Sequence, residues 1–189
     1  MKNSKRIFLQ VGFLLFAALA ARAHNAVATP NFGLRRSGGS KARTVELGAT
    51  KSQTIQVLGP PTKTSRFYSE IDEKWLPVLY YGSNKLTFLN NRLAMAELSD
   101  ARLTVGKPGT AGFRVGSALP KPKPGAKPAL AFGTFNVEYK PGTSYGVRYS
   151  AISSGNMKTP KGKVLDVAYE IHYDQQNRVA HVFLDETYD

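Results

Sequence analysis

The sequence predicts an α+β fold of two tandem units, each a short helix or helix pair followed by a small antiparallel β-meander. Three observations predict it. A capped segment of about two helical turns opens the first half. Short β-branched and aromatic runs, parted by Gly and Asn turns, follow it. A related pattern of small residues and a hairpin returns in the second half. These signals divide the 189 residues into segments 1–23, 24–45, 46–105 and 106–189.

Residues 1–23 read as a secretory signal peptide. Lys2, Lys5 and Arg6 precede an apolar run from Ile7 to Ala20, and two A-x-A sites follow, Ala18-Leu19-Ala20 and Ala21-Arg22-Ala23. The run is short for a membrane span. An uncleaved N-terminal anchor is the alternative. The expectation is cleavage before His24 and release to the periplasm or the outside. A lipid anchor is not expected, because there is no Cys to acylate. Residues 24–45 read as a flexible basic leader: Pro30, Gly33 and Ser37-Gly38-Gly39-Ser40 lie among Arg35, Arg36, Lys41 and Arg43 with no apolar period.

In residues 46–105, Thr50 caps a helix with Gln53 at the capping-box spacing, and Gly59-Pro60-Pro61 stops it. Phe67-Tyr68 leads into the meander. Trp75 to Tyr81 is a strand that Pro77 places at an edge or bulge. Gly82-Ser83-Asn84 turns the chain into Lys85 to Leu89, and Asn90-Asn91 turns it into Arg92 to Leu98. Ala101 to Val105 is a candidate fourth strand.

Residues 106–189 form a second, β-rich unit. Gly106 to Gly112 breaks the pattern, and a new run starts at Phe113. Pro120, Pro122 and Pro124 degrade the helix expected there. Lys121 to Pro128, with Lys121, Lys123 and Lys127, is an extended, exposed basic loop. Leu130 to Tyr139 and Tyr145 to Ile152 read as strands, and Ser153 to Gly162 as a polar loop. In Val164 to Tyr173, residues Leu165, Val167, Tyr169, Ile171 and Tyr173 share one face. A turn at Asp174 to Asn177 leads back through Arg178 to Asp185. That turn sets Ile171 against Ala180 and Tyr169 against Val182 on the core side. Glu170 then meets His181, and His172 meets Val179, on the other side. An internal echo links the halves: Leu47-Gly48-Ala49-Thr50 with Val115-Gly116-Ser117-Ala118, and Asn91-Arg92 with Asn177-Arg178.

Composition narrows the chemistry. With no Cys there is no disulfide framework, thiolate zinc site, cysteine nucleophile or Fe–S cluster. The net charge of +13 falls to +9 once the four basic residues of segment 1–23 are removed. Residues 106–163 set ten basic groups against Glu138, and residues 164–189 set Arg178 against six acids. For an exported chain this basic excess points to envelope polyanions or acidic proteins rather than nucleic acid; a self-complementary charge split is the other reading.

Gly142-Thr143-Ser144-Tyr145-Gly146 matches the nucleophile elbow G-x-S-x-G. Its lead-in is a Lys-Pro-Gly turn, its exit is strand-like, and no βαβ alternation surrounds it, so a hairpin turn is the favoured reading. Glu70, Asp72 and Glu73 read as a solvated turn rather than glycosidase carboxylates. The Glu170, His172 and His181 group reads as cross-strand pairing rather than a metal site. No cofactor is expected.

The stretches Leu47-Gly48-Ala49-Thr50-Lys51-Ser52-Gln53, Val57-Leu58-Gly59-Pro60-Pro61-Thr62, Trp75, and Leu86-Thr87-Phe88-Leu89-Asn90-Asn91-Arg92-Leu93 carry a resemblance. They are similar to the outer-membrane assembly lipoproteins of the SmpA/OmlA type and to the β-lactamase-inhibitor-protein-like superfamily. The resemblance implies helices packed on one face of a small antiparallel sheet, and a non-enzymatic protein-binding role in the envelope or outside it. The lipid-anchoring Cys and the inhibitor family's disulfides are both missing here.

The functional expectation is therefore an exported binding module that grips an envelope or secreted protein through aromatics on an open sheet face. The candidates are Tyr68, Trp75, Tyr81, Tyr145 and Tyr149. The alternative is binding of lipopolysaccharide or cell-wall polymer through Arg35, Arg36, Lys121, Lys123 and Lys127. A secreted hydrolase using Ser144 is third.

Overall fold

Tight hairpins, set by their turn residues, build residues 63–98 of this protein. The computed structural model describes residues 27–118, 129–132, 135–141, 150–174, 176 and 178–186. Its elements, in order, are β1 (Val27–Ala28), a 3-10 turn (Thr29–Phe32), β2 (Leu34–Arg36), α1 (Lys51–Leu58), β3 (Lys63–Ser69), β4 (Lys74–Tyr81), β5 (Asn84–Leu89), β6 (Arg92–Leu98) and β7 (Leu103–Val105). They continue with β8 (Ala129–Phe132), β9 (Phe135–Pro141), β10 (Ser150–Lys158), β11 (Val164–Tyr173) and β12 (Val179–Glu186).

Local chemistry places α1 and the strands β4 to β6 where the sequence predicts them. Thr50 caps α1: its hydroxyl accepts from Gln53 N–H, while Gln53 Oε1 accepts from Thr50 N–H at 2.8 Å. Gly59 ends the helix at φ +72, a conformation open to glycine without strain. Asn90 and Asn91 take φ of 49 and 62, the double left-handed turn that a two-residue hairpin requires.

The fold class differs from the prediction. Among the described residues there is one α-helix against twelve strands in two sheets, and the described second half holds strands only. These are not two tandem helix-plus-meander units. The main sheet runs β3-β4-β5-β6-β12-β11-β10-β9-β8, with β1 added parallel to β10. The two halves fuse where β6 pairs with β12: Leu98 with Val182, Glu97 with Phe183, Ala96 with Leu184. Each meander ends in a strand with unpaired N–H and C=O groups, and pairing the two satisfies both edges. Such long-range pairing leaves no local sequence mark.

Other elements also depart from expectation. Residues 27–45 are no flexible leader: Phe32, Leu34 and Val45 are buried, and β2 pairs with β7 in a second, two-stranded sheet. β7 is thus no fourth meander strand. Pro77 is not on the edge strand. β3 is the edge, and the β4–β5 ladder starts at Val78, just past the proline that could not donate to it. Residues 129–141 form two strands rather than one, and β10 runs through most of the expected polar loop. In the β11–β12 hairpin a bulge between His172 and Tyr173 shifts the register, so Ile171 meets Val182, Tyr169 meets Leu184 and His172 meets His181. A shift of two residues keeps the residues from His181 onward on their predicted face, whereas Val179, expected outside beside His172, pairs with Tyr173 past the bulge and is buried in the core.

The echoed residues occupy matching positions. Gly48 N–H donates to Leu93 O (2.9 Å) and Leu93 N–H to Ala49 O (2.8 Å). Gly116 N–H donates to Val179 O (2.7 Å) and Val179 N–H to Ser117 O (2.9 Å). The arginine after each hairpin turn reaches back to the glycine carbonyl, Arg92 to Gly48 at 3.0 Å and Arg178 to Gly116 at 3.2 Å.

The core lies on one face of the main sheet. Leu79, Tyr81, Leu86, Phe88, Leu93, Ala96, Leu98, Val182, Leu184, Tyr169 and Ile171 alternate inward from five adjacent strands. Leu58 of α1, Phe32, Leu34, Leu103, Val105 and Phe113 cover them. Each large aliphatic or aromatic side chain buried here contributes about 1.5–3 kcal/mol. The opposite face of the same strands carries the candidate site.

Candidate functional site

Strand alternation turns every second residue of β3 to β6, β12 and β11 away from the core. Register then aligns them. Lys63, Tyr80, Lys85, Glu97, Phe183 and Glu170 oppose one another in sequence across six strands. At about 4.8 Å per strand this row is about 24 Å wide. A groove of about 410 Å³ lies along it, lined by Phe67, Val78, Tyr80, Met95, Phe183 and Asp185 among others.

The central charges on this face are paired. Lys85 Nζ donates to Glu97 Oε2 at 2.9 Å, and both side chains are well exposed. The pair is worth under about 1 kcal/mol to stability. Its effect is to neutralise the two charges that stand in the row between Tyr80 and Phe183. Lys63 Nζ sits 5.3 Å over the Tyr80 ring. At the far end, Phe183 packs between His172 (5.1 Å) and His181 (5.9 Å), and His172 Nε2 hydrogen-bonds Glu170 Oε1 at 2.5 Å. Burial, and then the neighbouring His172, push the His181 pKa below its usual 6.5 despite the opposing charge of Glu97. His181 is thus neutral at pH 7.

The sequence candidates scatter. Tyr68 and Trp75 are exposed, oppose each other across β3–β4 and pack edge to face at 5.4 Å. By alternation they share the side of Leu79 and Tyr81, so they flank the groove rather than line it. Tyr81 is a correction: it is 1 % exposed, and its hydroxyl donates to Gly59 O at 3.0 Å, tying β4 to the end of α1. Burial raises its pKa, and the Arg36 charge opposes the rise. Tyr145, Tyr149 and Ser144 lie outside the described residues, as do Lys121, Lys123 and Lys127.

Arg35 is a second correction, because a leader arginine offered to a polymer should be exposed and this one is 3 % exposed. Arg36 is occupied in capping: Nε donates to Leu58 O, Nη2 donates to Pro60 O at 3.0 Å, and the guanidinium lies 5.5 Å from the Tyr81 ring centroid. Asp72 sits in the β3–β4 turn, where its Oδ2 accepts from Ser69 Oγ at 2.8 Å. No three His, Asp or Glu side chains among the described residues converge as a metal site.

Phe67, Tyr80, Met95 and Phe183 were missed. The signal was present in the Tyr80-Tyr81 doublet: neighbours in a strand must face opposite ways, so one of the two belongs on the open side.

No described helix is long and apolar enough to cross a membrane. No family model, curated protein or solved structure matches the chain.

Proposed function

We propose that this chain is an exported, non-catalytic binding module that grips another envelope or secreted protein across the open face of its sheet. The observation that carries the reading is the row from Lys63 to Glu170, with Tyr80 and Phe183 set in a groove and the central charges paired. Aromatic anchors in a partly desolvated groove with a polar surround are what protein interfaces concentrate. The signal-like segment and the resemblance to the assembly lipoproteins and inhibitor-like superfamily support export and a binding role.

Size adds a constraint. A patch about 24 Å by 17 Å covers about 400 Å² in projection, against about 800 Å² per partner in a standard interface. A stable partner therefore extends past the groove, and Ile71 in the β3–β4 turn supplies exposed apolar surface next to it, with Tyr68 and Trp75 on the far side of the β3 edge.

The test is capture by the full tagged chain from envelope and culture-fluid fractions, washed at about 0.15 M and then about 1 M salt, where screening shortens from about 8 Å to 3 Å. The expected result is a discrete protein that survives the second wash and is lost with the double variant Tyr80→Ser, Phe183→Ser, whose folding is checked by circular dichroism. Complete release at high salt, or undiminished capture by the variant, rejects the reading.

A further inference from the structure

Arg35 is a buried cation without an acid. Its residue is 3 % exposed, and no described carboxylate pairs with it. Nη2 donates to Thr110 O at 2.8 Å and to Ala111 O at 2.5 Å, while Nη1 is buried with no hydrogen-bond partner. Removing a guanidinium from water costs several kcal/mol unless charge and hydrogen bonds are restored. Two carbonyls restore neither the charge nor Nη1.

The surroundings are built for a negative guest. β2 and β7 carry Arg35 and Thr104 as a direct pair, and the turns after the two strands fold over them. A pocket of about 280 Å³ opens there, lined by Arg35, Lys41, Arg114, Thr104, Ser117 and backbone from Gly38 and Gly39 to Gly112. Among the described residues, three cations and no acid line it. The Ser117 oxygen accepts from Arg114 N–H, which leaves its own O–H to donate. Gly112 shapes the wall: at φ +65, a Cβ there would sit 2.2 Å from Val105 O and 3.1 Å from Arg35 Nη2.

We infer that this pocket binds a phosphate or phosphomonoester group, with Arg35 as the buried anchor and Lys41 and Arg114 as the exposed pair that closes the charge. The lining polar residues come from β2, the loop after it, β7 and the segment after β7. Three positive charges exceed the two negative charges of a phosphate dianion, so the lining attracts it with charge to spare. The volume holds a headgroup rather than a nucleotide, since pockets for drug-sized ligands start at about 300 Å³. The site shares no residue with the sheet face and stands apart from the proposed function.

The test is calorimetric titration of inorganic phosphate into the full chain at fixed ionic strength, with chloride as the control. Saturable one-to-one binding is expected. The double variant Lys41→Ala, Arg114→Ala should weaken it at least tenfold without moving the melting temperature in phosphate-free buffer. Arg35→Met strands two carbonyls and can unfold the chain, so the exposed pair decides. Vesicles of phosphatidylcholine with and without phosphatidic acid separate the sources of the group. Sedimentation with phosphatidic acid, competed by inorganic phosphate, places the group on a lipid headgroup; phosphate binding without sedimentation places it on a free small molecule. No phosphate binding, or binding that the double variant leaves unchanged, overturns the inference.

Discussion

Replacing Asn84 with Leu should cost about 3–4 kcal/mol, and the figure follows from its contacts. Asn84 is fully buried. Its Nδ2 donates to Tyr81 O at 3.0 Å and Asp100 Oδ1 at 2.7 Å, and its Oδ1 accepts from Ser99 N–H (2.9 Å) and Asp100 N–H (3.0 Å). One side chain thus joins the β4–β5 turn to the corner between β6 and β7, beside Lys85 of the groove. Leucine has a similar shape and strands three backbone groups, each at about 1–3 kcal/mol where water cannot reach. Ser99 and Asp100 are half-buried, so water offsets part of this. The loss is a large share of a typical 5–15 kcal/mol total. Urea unfolding followed by far-ultraviolet circular dichroism measures it.

The aspartate variant sharpens the same argument. Burial pushes the Asp100 carboxyl up, but hydrogen bonds from Ser83, Arg102 and Asn84 and the Arg102 charge hold it below 3.8. The wild type therefore loses this contribution as pH falls through that lowered value. Asn84→Asp sets a second carboxylate against the first, which raises the upper pKa of the pair. Its stability should then recover as pH falls through that raised value, the opposite trend. A loss under about 1 kcal/mol for Asn84→Leu, or parallel pH trends for wild type and Asn84→Asp, refutes the reasoning.

Three further outcomes are expected. Gly82→Ala should destabilise more than Gly48→Ala: both residues are left-handed, costing alanine about 1–2 kcal/mol, but only at Gly82 does a Cβ meet Asp100 Oδ2 at 2.3 Å, while Gly48 has open space; equal urea midpoints would contradict this. His181 ionises below 6.5 in the folded state, so its contribution is complete above the unfolded value and is lost as pH falls through the folded one; unfolding midpoints between pH 8 and 5 should show that fall in wild type and a shallower one in His181→Gln. Arg36→Met removes two helix-end hydrogen bonds, for a loss of about 1–2 kcal/mol, and takes away the charge that holds Tyr81 down; alkaline absorbance titration should show one tyrosine ionising later than in wild type.

What could be read from the sequence was whatever local chemistry sets. Thr50, Gln53 and Gly59 fix α1, and Asn90-Asn91 fixes a turn, because each acts on neighbours within a few residues. The strict alternation of Val164 to Tyr173 placed the histidines on the outer face even though a bulge moved their partners. The illegible part depends on distant partners. Phe32, Leu34 and Val45 lie among glycines and arginines with no period, and only their packing beneath the main sheet makes them core. The β6–β12 seam has no turn to announce it, so the aromatic row crossing it could not be assembled. Arg35 reads as solvent-facing beside Arg36, and only the fold over it puts it inside.

The seam has a consequence for how the chain reaches its native state. Leu98 and Val182 are paired across 84 positions, so the sheet closes only after loop-closure entropy has been met over nearly half the sequence. Until β12 arrives, β6 is a bare strand edge, and the floor between Tyr80 and Phe183 does not exist. A polypeptide still missing residues 179–186 has no groove, so this surface forms only once β12 has been made.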